Sequence, residues 1–184
     1  MGRIILFNMM SLDGFFEGKN NELDWHNVDA EFNDFAIEQL NNASALIFGR
    51  VTYDLMSSYW ATSLALSDDP IVAKKMNTIQ KIVFSKTMEK AEWVNTILIK
   101  GDIEAEIKKL KDLEKDILVL GSANLSSTLI KLDLVDEFRI MVNPVILGEG
   151  NPLFKEDRHR KKLKFLRSKT FNSGNVLLCY APKR

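Results

Sequence analysis

Leu118-Val119-Leu120-Gly121-Ser122-Ala123-Asn124 runs from an apolar strand through a glycine into a helix, and Leu46-Ile47-Phe48-Gly49-Arg50-Val51-Thr52 repeats the pattern. Short, continuous apolar runs of this kind read as strands buried on both faces, which is how central strands of α/β sheets read. Ligands of such sheets bind outside the carboxyl ends of the strands. A helix that starts there offers free backbone N–H groups and a positive dipole end, and this suits phosphate. Glycine lets a phosphate approach the backbone. Arg50 adds a fork of donors and Thr52 a hydroxyl. One such junction is an ordinary turn, whereas two suit a dinucleotide.

The same alternation of element types extends outward in both directions. Arg3 to Met10 reads as a central strand, interrupted by Asn8, whose amide needs a partner if it is buried. Ser11-Leu12-Asp13-Gly14 breaks the strand. Lys19 to Asn27 is polar, contains Trp25 and reads as a mobile loop. Asp29 is placed to cap a helix to about Asn42, with Phe32, Phe35, Ala36 and Leu40 on one face. Ala61 to Pro70 reads as loop, with Pro70 opening a short helix. Lys81–Ser85 and Thr96–Lys100 read as strands, and Asp102 caps a helix with Ile103, Ile107 and Leu110 inward. Leu125, Leu129 and Leu132 share one face of the helix after Gly121. Glu137–Val142 is a strand. Leu163–Thr170 and Asn175–Ala181 form a late hairpin through Asn172-Ser173-Gly174. The expectation is one α/β domain over residues 1–184, with a mixed, mostly parallel twisted sheet flanked by helices and an antiparallel C-terminal edge.

Composition narrows the function. The chain has 184 residues, 25 Lys+Arg and 25 Asp+Glu, and a single cysteine. Zero net charge argues against generic nucleic-acid binding. No apolar run reaches the ~20 residues of a membrane span. A lone cysteine, Cys179, excludes a disulfide framework, reads as inert core and fits a reducing cytoplasm. The neutral total divides into −5 for residues 1–92 and +5 for residues 93–184. The basic excess concentrates in Lys155 to Lys169, which reads as a solvated loop leading into a strand.

Several catalytic engines are missing. There is no Walker A pattern, no G-x-G-x-x-G and no G-x-S-x-G. His26 and His159 are isolated, so no zinc site is expected, and a lone loop histidine such as His26 reads as solvated. Cofactor chemistry is what remains. Ser85-Lys86-Thr87, at the end of the Lys81–Ser85 strand, is a third polar and cationic group at a carboxyl end.

These segments, in order, resemble the dihydrofolate reductase-like family, in the branch of the riboflavin-biosynthesis reductase domain and its stand-alone bacterial relatives. The matching pieces are Ser11-Leu12-Asp13-Gly14, Gly49-Arg50-Val51-Thr52-Tyr53, Val83-Phe84-Ser85-Lys86-Thr87, Leu120-Gly121-Ser122-Ala123 and Asn143-Pro144-Val145-Ile146-Leu147-Gly148-Glu149-Gly150-Asn151-Pro152-Leu153-Phe154. The resemblance implies a dihydrofolate reductase-like fold, NADPH as hydride donor, a small heterocyclic substrate and a homodimer. It implies that Gly49, Arg50 and Thr52 hold the cofactor's phosphates. Ser85, Lys86 and Thr87 would lie beside the adenosine 2′-phosphate. Gly121, Ser122, Ala123, Asn124 and Leu125 would lie under the pyrophosphate and nicotinamide. Ser11, Asp13 and Gly14 would line the nicotinamide and substrate side. Ser122 departs from the family, which has a second glycine there. The proton donor stays open between Glu31 and Asp29, and Asp13 is an independent catalytic-site candidate for contacting a heterocycle amine or ribityl hydroxyl. Glu31 matches the family acid by spacing to Phe35 and Asp29 by spacing from Trp25. Asp29 is also a good N-cap, and Glu31 favours the helix dipole. A non-catalytic NADPH sensor and a flavoprotein are the rival readings.

Overall fold

The computed structural model describes residues 2–154 and 160–183. The chain runs through β1 (Ile4–Met10), β2 (Phe15–Glu17), α1 (Ala30–Asn41), β3 (Ala43–Gly49), α2 (Arg50–Trp60), α3 (Ser63–Asp68), α4 (Pro70–Thr78) and β4 (Gln80–Phe84). It continues through β5 (Thr96–Ile99), α5 (Ile103–Leu110), β6 (Asp116–Leu120), α6 (Ala123–Lys131), β7 (Glu137–Val142), β8 (Asn151–Pro152), β9 (Leu163–Thr170) and β10 (Val176–Pro182). Eight strands form one sheet in the order β5-β4-β3-β6-β1-β7-β10-β9. From β5 to β7 all neighbours are parallel. β10 runs antiparallel to both β7 and β9, so the hairpin forms the expected antiparallel edge. The remaining strands, β2 and β8, pair as a separate two-stranded ribbon.

Alternate residues of the central strands enter opposite cores. Ile4, Leu6, Ile47 and Val119 pack with Ile107 of α5 and Leu125 and Leu129 of α6. Ile5, Leu46, Phe48 and Val83 pack with Tyr53 of α2 and Val72 and Met76 of α4. Each fully buried Ile or Leu contributes roughly 1.5–3 kcal/mol. The absence of polar alternation in β1, β3 and β6 therefore reflects helices on both faces of the sheet. The caps also follow the sequence. Asp29 accepts from Phe32 N at 2.8 Å, Asp69 from Val72 N at 3.1 Å and Asp102 from Glu104 N at 2.8 Å.

Some details depart from the expectations. Residues 61–70 are not all loop, because Ser63–Asp68 is helical. Thr62 caps this turn through Ala65 N, and Ala65 is fully buried. Asn8 is buried, yet its Nδ2 has no hydrogen-bond partner among the described residues. Lys81 is fully buried inside β4; its Nζ donates to Met76 O at 2.7 Å and Ile79 O at 2.8 Å, closing the carboxyl end of α4. Of the basic run, residues 155–159, including His159, lie outside the described residues. The rest enters β9, whose eight residues are all exposed. Cys179 is buried, and burial pushes its thiol pKa up, which fits an inert core position.

Candidate functional site

The carboxyl ends of β3 and β6 lie on the same edge of the sheet, and the helices that follow begin side by side. Gly49 precedes α2 in extended conformation and Ser122 precedes α6; neither helix start carries a side-chain cap. A helix without a cap keeps its first N–H groups available to a ligand. The two starts touch. A Cβ on Gly49 would fall 2.1 Å from Ser122 Oγ, and one on Gly121 would fall 2.8 Å from Thr52 Cγ2. Gly121 and Ser122 are both left-handed, at φ 64° and 59°. Glycine adopts that region freely, whereas serine is strained there.

A cavity of about 540 Å³ opens over these starts. Gly49, Arg50 and Thr52 line it from one side. Ser122, Ala123, Asn124 and Leu125 line it from the next, and Ser85, Lys86 and Thr87 from the end of β4. The structure thus brings together ten of the residues singled out in the sequence. Arg50 pairs with Asp54 at 3.3 Å, but both are about half exposed (49% and 51%). An exposed pair of this kind is worth ~0–1 kcal/mol, so Arg50 can turn toward an anion at little cost. Among the described residues Lys86 has no side-chain partner. Ser85 Oγ accepts from Met88 N at 3.0 Å and shapes its turn.

A second cavity, of about 580 Å³, lies beside the first. Its walls are largely apolar, with Phe7, Phe32, Leu40, Met56 and Trp60 among them, and Gly121 belongs to this side. His26 lines it too. The histidine is not solvated as expected. Its Nε2 is buried without a partner, and burial holds its pKa down at about 4, so the ring is neutral at pH 7. The two cavities share Phe16, Glu17 and Thr52. The ribbon of β2 and β8 forms this boundary. Glu17 Oε1 accepts from Asn151 Nδ2 at 2.8 Å, and Phe16, Glu17, Asn151 and Pro152 all line the first cavity.

The remaining candidates line neither cavity. Ser11 Oγ accepts from Phe15 N at 2.9 Å, and Gly14, at φ 94°, completes that turn. Asp13 accepts from Gly148 N at 2.8 Å and Leu147 N at 3.2 Å, tying the loop after β1 to the loop after β7. The Ser11 hydroxyl and these amides hold its carboxyl below the usual range. Asp29 is spent as the cap of α1. Glu31 accepts from Asn172 N at 2.9 Å and pairs with Lys169 at 3.1 Å, and both contacts lower its pKa. Asp13, Asp29 and Glu31 are thus not brought to either cavity: each accepts from at least one backbone amide, and Glu31 also pairs with Lys169. The boundary residues Phe16 and Glu17 are not singled out in the sequence, and His26 reads there as a solvated loop residue. Phe16 and Glu17 belong to a strand of three residues, too short to show a pattern.

A mostly parallel sheet with an antiparallel terminal hairpin and a double cavity over its strand ends is a dihydrofolate reductase-like fold. Enterococcus faecalis dihydrofolate reductase, solved with NADP(H) and RAB-propyl, superposes with a TM-score of 0.66 at 17% identity over 100% of this chain and 98% of that one. The chain belongs to the RibD C-terminal domain family, whose model matches residues 3–177. The Bacillus subtilis protein YyaP, itself uncharacterized, is 40% identical over 97% of this chain and 94% of its own. A Shewanella sp. PV-4 protein named for riboflavin biosynthesis superposes with a TM-score of 0.78 at 26% identity, covering 99% of each chain.

Proposed function

We propose that the protein is an NADPH-dependent reductase of a small heterocyclic substrate, pterin-like or ribosylaminopyrimidine-like. One observation carries this reading: two uncapped helix starts and three cations, Arg50, Lys86 and Lys100, surround a cavity that adjoins a second, apolar one. The first cavity fits a dinucleotide's anionic part. Gly49, Arg50 and Thr52 bind one phosphate region. Gly121 and Ser122 give the backbone approach to the pyrophosphate, and Ala123, Asn124 and Leu125 continue that wall. Ser85, Lys86 and Thr87 take the 2′-phosphate, where a cation favours NADPH over NADH. When bound, the dinucleotide supplies the hydride. The second cavity holds the flat ring against Phe32 and Met56 and excludes water from it.

Ser11, Asp13 and Gly14 act one step removed. They hold the two loops that carry the β2–β8 boundary. Asp29 caps α1, which walls the second cavity, and Glu31 ties that helix to Asn172 and Lys169. Homodimerisation belongs to the same proposal, supported by the exposed edge strand β9 and its half-exposed Phe165 (55%). Sedimentation at working concentrations tests it, and a pure monomer sinks it.

Reductase and sensor separate on turnover. NADPH binding is followed by titration calorimetry. Consumption is followed by loss of NADPH absorbance against a panel of pterins and ribosylated pyrimidines. Binding with turnover is expected. Binding without turnover of any panel member favours the sensor, and absence of NADPH binding refutes both.

A further inference from the structure

Reducing a C=N or C=O bond takes a proton as well as a hydride, so an acid belongs where cofactor and substrate meet. The boundary of the two cavities is that place, and it is lined by Phe16, Glu17 and Thr52. Phe16 does not ionise, and a threonine hydroxyl is no acid at neutral pH. Among the described residues Glu17 is the one carboxylate that lines both cavities. Asp68 and Asp69 line only the second; Asp68 accepts from the Tyr59 hydroxyl at 3.3 Å, and Asp69 caps α4. His26, kept neutral by burial, is not in its acidic imidazolium form at pH 7.

Glu17 is also built for the task. Its backbone is fixed by pairing of β2 with Asn151 of β8. The approach is so close that a Cβ on Gly150 would fall 2.5 Å from Glu17 O. Asn151 holds Oε1. Oε2 has no partner among the described residues. One oxygen is anchored and the other is left for a ligand.

Resting on the reductase reading above, we propose that Glu17 is the catalytic acid of this site. Its carboxyl O–H bond breaks and an N–H or O–H bond forms at the substrate heteroatom, while the neighbouring carbon takes the hydride of the dinucleotide. The carboxylate then recovers its proton from water, which leaves oxidised dinucleotide and reduced substrate.

Nucleotide binding tests this without any substrate. The oxidised nicotinamide ring is positive and the reduced ring is neutral, so an adjacent carboxylate favours NADP⁺. Glu17→Gln keeps the acceptor for Asn151 and removes the charge. Calorimetric titration of both nucleotides into the wild type and Glu17→Gln should show the variant losing about tenfold in NADP⁺ affinity relative to NADPH, with its melting temperature held. An unchanged ratio in a folded variant overturns the assignment of Glu17 alone. A wild type that binds neither nucleotide overturns the reductase reading and the acid with it. With a turned-over panel substrate, kcat should fall about a hundredfold or more, and Glu17→Asp should restore part of it. A raised KM at unchanged kcat would make Glu17 a binding group and overturn its role as acid.

Discussion

Alanine at Gly49 is predicted to be costly, and glycine at Ser122 to cancel most of that cost. The cost is not conformational, because Gly49 sits at φ −81°, ψ 163°, which any residue adopts. It is steric: the new Cβ would lie 2.1 Å from Ser122 Oγ and 3.1 Å from Ser122 Cβ. The hydroxyl can rotate away, but the Cβ can only shift with the backbone. Forced packing of one methyl group costs ~1–3 kcal/mol, and relief by rotation places this site at about 1–2 kcal/mol. Ser122→Gly removes both clashing atoms, and the next nearest atom is Leu125 Cβ at 3.8 Å, an ordinary contact. By itself Ser122→Gly relieves a left-handed serine, worth ~1–2 kcal/mol, against ~0.5–1 kcal/mol of added chain freedom. The single variant should therefore be as stable as the wild type or slightly more so. Urea unfolding of the wild type, both single variants and the double variant closes the cycle. The expected coupling is about 1–2 kcal/mol in favour of the double variant. Additive effects, with the double variant carrying the whole cost of Gly49→Ala, would refute contact between the two helix starts.

Three further outcomes follow from the same structure. Arg50→Glu should weaken NADPH binding by well over tenfold in calorimetry, through reversed charge at a phosphate; unfolding stability should hardly move, since the Asp54 pair is exposed. His26 has a folded pKa near 4 against an ordinary 6.5, so the unfolded chain binds the extra proton between those values. Stability is then full above about pH 6.5 and falls as pH drops toward 4, by up to about 3 kcal/mol. His26→Leu should flatten that part of the stability–pH curve, and an unaltered curve would place the titration elsewhere. Lys81→Met leaves the carbonyls of Met76 and Ile79 without their donor and should cost about 2–4 kcal/mol in urea unfolding; a neutral result would mean the ammonium is not needed to close α4.

The sequence exposed the parts of the fold that are governed by local rules. β1, β3 and β6 were visible because both their faces are buried, so every position had to be apolar. The starts of α1 and α5 were visible because Asp29 and Asp102 accept from N–H groups within their own first turns, and that of α4 because Pro70, which has no N–H, suits a first helical position. α3 escaped because six residues are too few to show a period. β2 and β8, of three and two residues, carry no pattern at all. The functions of the carboxylates were hidden for a related reason. Asp13, Glu17 and Glu31 look alike in their neighbourhoods, and what separates them is a partner more than 130 residues away: Gly148 for Asp13, Asn151 for Glu17 and Asn172 for Glu31. Two of those partners are backbone amides, and the remaining oxygen is taken by the Leu147 amide in Asp13 and by Lys169 in Glu31. The third is a single side-chain amide, and it leaves an oxygen over.

The same long-range assembly explains how a neutral chain builds an anion site. The −5 and +5 halves say nothing about the cleft, because the sheet order interleaves them: β6 of the basic half lies beside β3 of the acidic half. The first cavity is lined by Arg50, Lys86 and Lys100 against one carboxylate, Glu17. Arg50 and Lys86 come from the acidic half and Lys100 from the basic one. Three cations at one sheet edge suit a ligand with a few phosphate charges. The lone carboxylate sits at the boundary with the apolar cavity, where the oxidised nicotinamide ring would bring its positive charge. On the proposed reading, charge in this cleft is graded from cations at the phosphate end to a carboxylate at the reacting end, which is the polarity that an oxidised dinucleotide presents.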